Sequence, residues 1–188
     1  MKKNIWTLCF IAAAFAGFAQ KKEHLGNYFL LQGQLLYVDP YNQEEQTAGS
    51  TEVVVYQGDD IYVVFDSKET GKYEFYLPIG HIYTISYGGK QYVNKKVIVD
   101  ATTSPREKKP RSMRLDIGLF SPVEGFVFTS LEQPFVKIAY NKEYDEFVPD
   151  FDHTDQMMKL LDKDLKAAKK SRSKSGKPSK PSPNEENK

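Results

Sequence analysis

The stretch "FDSKETGKYEFYLPIGHIYTISYGGK", from Phe65 to Lys90, constrains the fold more than any other part of the chain. Side chains of a strand point alternately to its two faces. Tyr73, Phe75 and Leu77 therefore share one face, while Glu74 and Tyr76 take the other. Gly71 sits where a bulged hairpin turn needs a left-handed residue. Pro78 and Gly80 break the strand. Alternation then resumes with Tyr83, Ile85 and Tyr87 against Thr84 and Ser86, until Gly88-Gly89 turns the chain again. A segment built this way is scaffold: every glycine and aromatic in it has a geometric or packing task.

The same pattern extends on both sides. "FLLQGQLLYVD" is an apolar run interrupted by Gly33, and "TEVVVYQGDDIYVVFD" is two β-branched runs around the polar loop Gln57-Gly58-Asp59-Asp60. "KKVIVD" follows the glycine pair. A polar, basic loop from Ala101 to Ser112 is expected to project from the body. "MRLDIGLF" then reads as a closing strand, with Met113, Leu115, Ile117 and Leu119 on one face. Strands with turn signals every 8–12 residues or so, and no helix among them, predict an all-β sandwich of the Ig-like, Greek-key kind.

The order of these pieces resembles a known family. Gly33-Gln34-Leu35 to Asp39, then Val53-Val54-Val55-Tyr56, then Asp66 with Gly71-Lys72-Tyr73-Glu74-Phe75, then Leu77-Pro78-Ile79-Gly80 and Tyr83-Thr84-Ile85-Ser86-Tyr87 are similar to the carboxypeptidase-regulatory-like (transthyretin-like) β-sandwich. The likeness runs from about Leu30 to Ile117. It departs from the family pattern at Leu35, where valine is usual, and at "PYNQEEQTAGST", which replaces a shorter loop and leaves the second strand's register open. The resemblance implies an accessory module for attachment, spacing or recognition, and supplies no catalytic residue. A purine-pathway hydrolase shares the transthyretin-like fold. Its signature needs several histidines and arginines and a terminal Y-R-G-S, whereas this chain has only His24, His81 and His153 and ends differently. An enzyme is not expected.

The start of the chain carries a different message. Lys2 and Lys3 precede the apolar run Ile5–Phe18, and Gly17 and Ala19 are small residues before Gln20. This is the three-part layout of a secretory signal peptide, residues 1–19. The run is short of the roughly 20 residues that span a bilayer. Cys9, the only cysteine, lies inside it, so lipid attachment there and disulfides in the exported chain are not expected. The net charge of +1 hides an asymmetry: Lys2 and Lys3 carry +2, residues from Lys166 onward carry +6, and residues 21–165 carry −7. An acidic body excludes a general nucleic-acid-binding surface. These features predict an exported protein, and the resemblance implies a periplasmic or outer-membrane-associated place in a Gram-negative bacterium.

After the sandwich, residues 20–119, an extension over residues 120–170 is predicted to hold a small hairpin from Phe135 to Val148 and one amphipathic helix. Met157, Leu160, Leu161, Leu165 and Ala168 lie at spacings of three and four, with Asp164 the polar exception on that face. Asp152 is the expected N-cap. Residues 171–188, rich in Ser, Pro and Lys, are expected to be a disordered basic tail.

Candidate sites are weighed against simpler explanations. His81 lacks a nearby nucleophile and orienting carboxylate and reads as a turn residue. Asp150, Asp152, His153 and Asp155 lack the glycine turn and terminal glutamate of a calcium loop and read as a capped, acidic helix start. Asp59-Asp60 reads as a hairpin tip. No catalytic, cofactor or metal residue is assigned. Interaction is assigned to Tyr62 and Tyr76, which alternation turns outward, and to the helix face Met157, Leu160, Leu161 and Leu165. The expected function is a non-enzymatic protein-interaction module, an accessory subunit of an envelope assembly, with an envelope or outer-membrane protein as partner. The alternative is a carbohydrate-binding module that stacks sugars on outward tyrosines.

Overall fold

The computed structural model describes residues 27–40, 44–103 and 111–175. The expected signal peptide, residues 104–110 of the polar loop and residues 176–188 of the tail lie outside the described residues. Two sheets face each other and one helix follows them. The first sheet has β1 (Tyr28–Val38) at its centre. β1 runs antiparallel to β5 (Lys72–Pro78) and to β2 (Glu45–Thr47). It runs parallel to β8 (Arg111–Arg114) and β9 (Ile117–Leu119).

The predicted closing strand is thus two strands, and the reason is local. Gly33 has no side chain, and the carbonyl of Leu115 fills the space: a Cβ on Gly33 would lie 1.9 Å from that oxygen. The same oxygen accepts a 2.5 Å hydrogen bond from Tyr73 Oη. Asp116 Oδ1 takes over as acceptor for the Gln34 amide at 2.9 Å. Pairing with β1 is interrupted at Leu115-Asp116 and resumes in the same register, without leaving these backbone groups unsatisfied.

The second sheet has the order β11–β10–β7–β6–β3–β4. These are Glu146–Pro149, Val136–Asn141, Lys95–Asp100, Ile82–Tyr87, Glu52–Gln57 and Asp60–Asp66 respectively. The predicted hairpin forms as β10 and β11. It is also stitched into the sheet, because β10 runs parallel to β7 from Val136↔Val97 to Ala139↔Asp100. Periodicity reports a strand but not its neighbour, so this long-range pairing has no local sequence signal.

The core lies between the sheets. Phe29, Leu31 and Leu35 of β1 meet Val53, Val55, Tyr83, Ile85, Tyr87, Val97 and Val99, all fully buried. Tyr73 and Phe75 face inward as alternation predicts. Phe75 meets Phe65 of the opposite sheet at a ring-centroid distance of 5.4 Å. At one margin Arg111 of the first sheet pairs at 2.5 Å with Asp145, in the β10–β11 turn of the second. Asp145 also accepts from Tyr140 Oη. Truncating Phe75 removes a ring from the seam where β4 and β5 meet. Phe75→Ala is expected to lower stability in urea unfolding by about 3–5 kcal/mol; an unchanged midpoint would mean that the ring is not in the core.

Candidate interaction surfaces

The helix α1 (Phe151–Ser175) follows β11 directly. Its N-cap is Asp150, not the expected Asp152: Asp150 Oδ1 accepts from the His153 amide at 2.9 Å, and its carbonyl accepts from the Thr154 amide at 3.0 Å. Met157, Leu161 and Ala168 are buried, and Leu165 packs against the core. The helix rests on β10 and on a 3-10 turn at Thr129–Glu132. Asp164, polar within an apolar face, has a task there: its Oδ2 accepts from the Ser130 amide at 2.9 Å and so satisfies the start of that turn. Met157, Leu161 and Leu165 are therefore internal contacts. Leu160 stays 44% exposed, because a step of one residue from Leu161 rotates it about 100° away from the docked stripe. The helix continues to Ser175, past the expected start of the tail at Ser171. Extending a nucleated helix costs little, and no breaker occurs before Gly176 and Pro178.

The two tyrosines part company. Tyr76 is half-buried on the outer face of β5. Its ring stands edge-on to Tyr28 at 5.0 Å, and its hydroxyl donates to Glu74 Oε1 at 3.0 Å. The carboxylate beside it raises the Tyr76 pKa. Tyr62 does not face outward as alternation predicts. Val55 pairs with Val63 and Tyr56 with Ile61, so Tyr62 is the extra residue of a β-bulge. The bulge breaks the alternation and tips the ring inward, where it meets the fully buried Tyr83 at 5.6 Å.

β4 itself is the feature that the sequence did not single out. Its central residues, Ile61-Tyr62-Val63-Val64-Phe65, are all apolar or aromatic, as in a strand covered on both faces. Yet β4 ends the six-stranded sheet, and none of its seven residues is buried. Ile61 is 62% exposed and Val64 49%.

The other candidates have structural roles. His81 is exposed, with Nδ1 3.2 Å from Gln57 Nε2 and its ring edge-on to Tyr83. His153 Nε2 lies 2.7 Å from the Pro134 carbonyl, tying the helix start to the chain before β10. Among the described residues no group of three or more His, Cys, Asp or Glu side chains is placed to hold a metal ion. No helix among them is long and apolar enough to cross a membrane.

One buried charge was readable and missed. Lys95 starts β7 on the same face as Val97 and Val99, and alternation alone turns it inward. It is 6% exposed, with its ammonium 4.5 Å from the Phe135 ring centroid and 5.3 Å from that of Phe120. The ring faces attract the cation. Burial nevertheless pushes its pKa down to about 8.

No family model matches the chain, and no curated protein matches it. Several solved structures are similar to it. The Bacillus anthracis TIE protein has a TM-score of 0.38 and 16% identity, over 50% of this chain and 17% of that one. GBS52, the minor pilin of the Gram-positive pathogen Streptococcus agalactiae, has a TM-score of 0.37 and 11% identity, over 55% and 48%. Catechol 1,2-dioxygenase from Acinetobacter sp. ADP1, inhibited by bound mercury, has a TM-score of 0.33 and 11% identity, over 56% of each chain. The chain spans less than two thirds of each of these. At such scores the likeness carries no functional argument.

The buried lysine sets a pH dependence. Its pKa is about 8 folded and 10.5 in an ordinary setting, so between those values the unfolded chain binds more protons and stability rises with pH. Buried Tyr73, Tyr83 and Tyr87 have raised pKa values, so their contribution is intact below 10.0 and is lost only above it. Stability is therefore expected to climb from pH 8 to pH 10.0, by up to about 1.4 kcal/mol per unit. Lys95→Met should be more stable at neutral pH and should flatten the climb; equal slopes in urea titrations of the two proteins would contradict this.

Proposed function

We propose that this chain is a non-enzymatic, exported protein-interaction module that serves as an accessory subunit of an envelope or outer-membrane assembly in a Gram-negative bacterium. The observation that carries the reading is β4: five consecutive apolar or aromatic residues stand at the open edge of a sheet, and none is buried. A strand of that composition loses apolar burial unless another surface covers it. Met157, Leu161 and Leu165 are spent on the protein's own core, so β4, the outer sheet surface and the exposed helix residues Phe151, Met158 and Leu160 are what remain for a partner. The leader-like start of the chain supports export, and the motif order from Gly33 to Tyr87 supports membership of the carboxypeptidase-regulatory-like sandwiches. Each described histidine is engaged in a turn or in backbone bonding, which supports a role without catalysis.

A carbohydrate-binding module is the second reading, and one observation favours it: Tyr76 is held on the outer face of β5 against Tyr28 and Glu74. A ring fixed in this way loses little freedom when a sugar stacks on it.

Photo-cross-linking separates the two. A photoreactive residue is placed singly at Val64, at Tyr76, or at Val127, which is 71% exposed, in the full chain in native envelopes. The interaction reading expects one envelope protein, in stoichiometric yield, from at least one position. No protein adduct at any of them, combined with loss of glycan retention in Tyr76→Ala at unchanged melting temperature, would replace it with the carbohydrate reading.

A further inference from the structure

We infer that the open edge of β4 takes up an extended peptide strand from another protein, apolar at alternate positions and carrying lysine or arginine at both ends. This rests on the interaction-module reading and names the partner's chemistry.

Three observations lead to it. β4 pairs with β3 alone among the described strands, and such an edge is a template for one more strand. An added strand would cover Val64 on the outer face and Val63 and Phe65 on the inner face; all three remain partly open to solvent. Charge then selects the occupant. Asp59 and Asp60 mark one end of β4, and Asp66 with its cross-strand neighbour Glu52 marks the other, where Lys90 offsets one of the two charges; all four carboxylates are exposed. A second copy paired antiparallel over the full strand would set Asp60 against Asp66 at both ends, which like charges oppose. A strand with basic ends meets opposite charge at both. The acidic ends and the bulge at Tyr62 guard the edge against its own kind while leaving it open to a basic strand.

The test titrates the isotope-labelled full chain with the synthetic peptide Lys-Lys-Thr-Val-Thr-Val-Thr-Lys-Lys. Amide shifts are expected to centre on Val63 to Asp66 and to spread to Phe75. The same peptide with glutamate in place of lysine should bind at least about tenfold more weakly at about 0.05 M salt, and the gap should narrow at about 0.5 M. A proline at the central threonine should abolish binding, because it removes a ladder donor. Val64→Lys, at an exposed position, should fold normally and weaken the lysine peptide. Absence of shifts in β4, equal affinity for the two charged peptides, or a dimer of this chain that buries β4 would overturn the inference. If the peptides fail while cross-links from Tyr76 or Val127 still capture a stoichiometric envelope protein, the edge inference alone falls. If the cross-links fail as well, the interaction reading falls with it.

Discussion

The first sheet depends on how closely two backbones approach at Gly33. β1 is the only strand that touches all four others in that sheet, and midway along it the Leu115 carbonyl occupies the place of a side chain. That approach sets where β8 ends and β9 begins, gives Tyr73 its hydroxyl acceptor, and places Asp116 on the Gln34 amide. Gly71 adds a second close approach on the same strand: it has φ of 73°, and a Cβ there would lie 2.3 Å from the Leu35 carbonyl. Both positions exclude a side chain for steric reasons, and both hold β1 in register with its neighbours.

The second sheet is built outward from β6 and β7, whose inward residues are fully buried apart from the lysine that starts β7. One margin is packed against the rest of the molecule. The β10–β11 hairpin, the helix and the Arg111–Asp145 pair cover it, and Asp164 ties the helix to the 3-10 turn. The other margin, at β4, is left open. The proposed binding role rests on this asymmetry more than on any single residue.

Most of the scaffold was legible in the sequence because period-2 alternation is local. Tyr73, Phe75, Tyr83 and Ile85 face the core as read, and the turns at Gly71, Gly80 and Gly88-Gly89 fall where glycines stand. What failed was non-local. Nothing near Val136 announces β7 as its partner, and nothing in "MRLDIGLF" announces a break at Leu115. Tyr62 was misplaced because a bulge shifts parity by one residue, and "VVVYQGDDIYVVF" gives no sign of where the extra residue falls. Leu160 and Leu161 both fit the three-and-four spacing of the apolar face, yet adjacent helix residues point about 100° apart. Lys95 and Asp164 were different: their positions on apolar faces were visible, and each marks a place where a polar group has a specific partner or a cost.

The binding proposal rests on β4 being an open edge of the second sheet that is apolar at its centre and has no buried residue. Amide hydrogen exchange on the free, full-length protein measures it most directly. The account predicts slow exchange in β3, β6 and β7, with the amides of Val63 to Asp66 that point away from β3 exchanging nearly as fast as those of the loops. Protection of those amides equal to that of β6 would contradict it, because the edge would then already be covered.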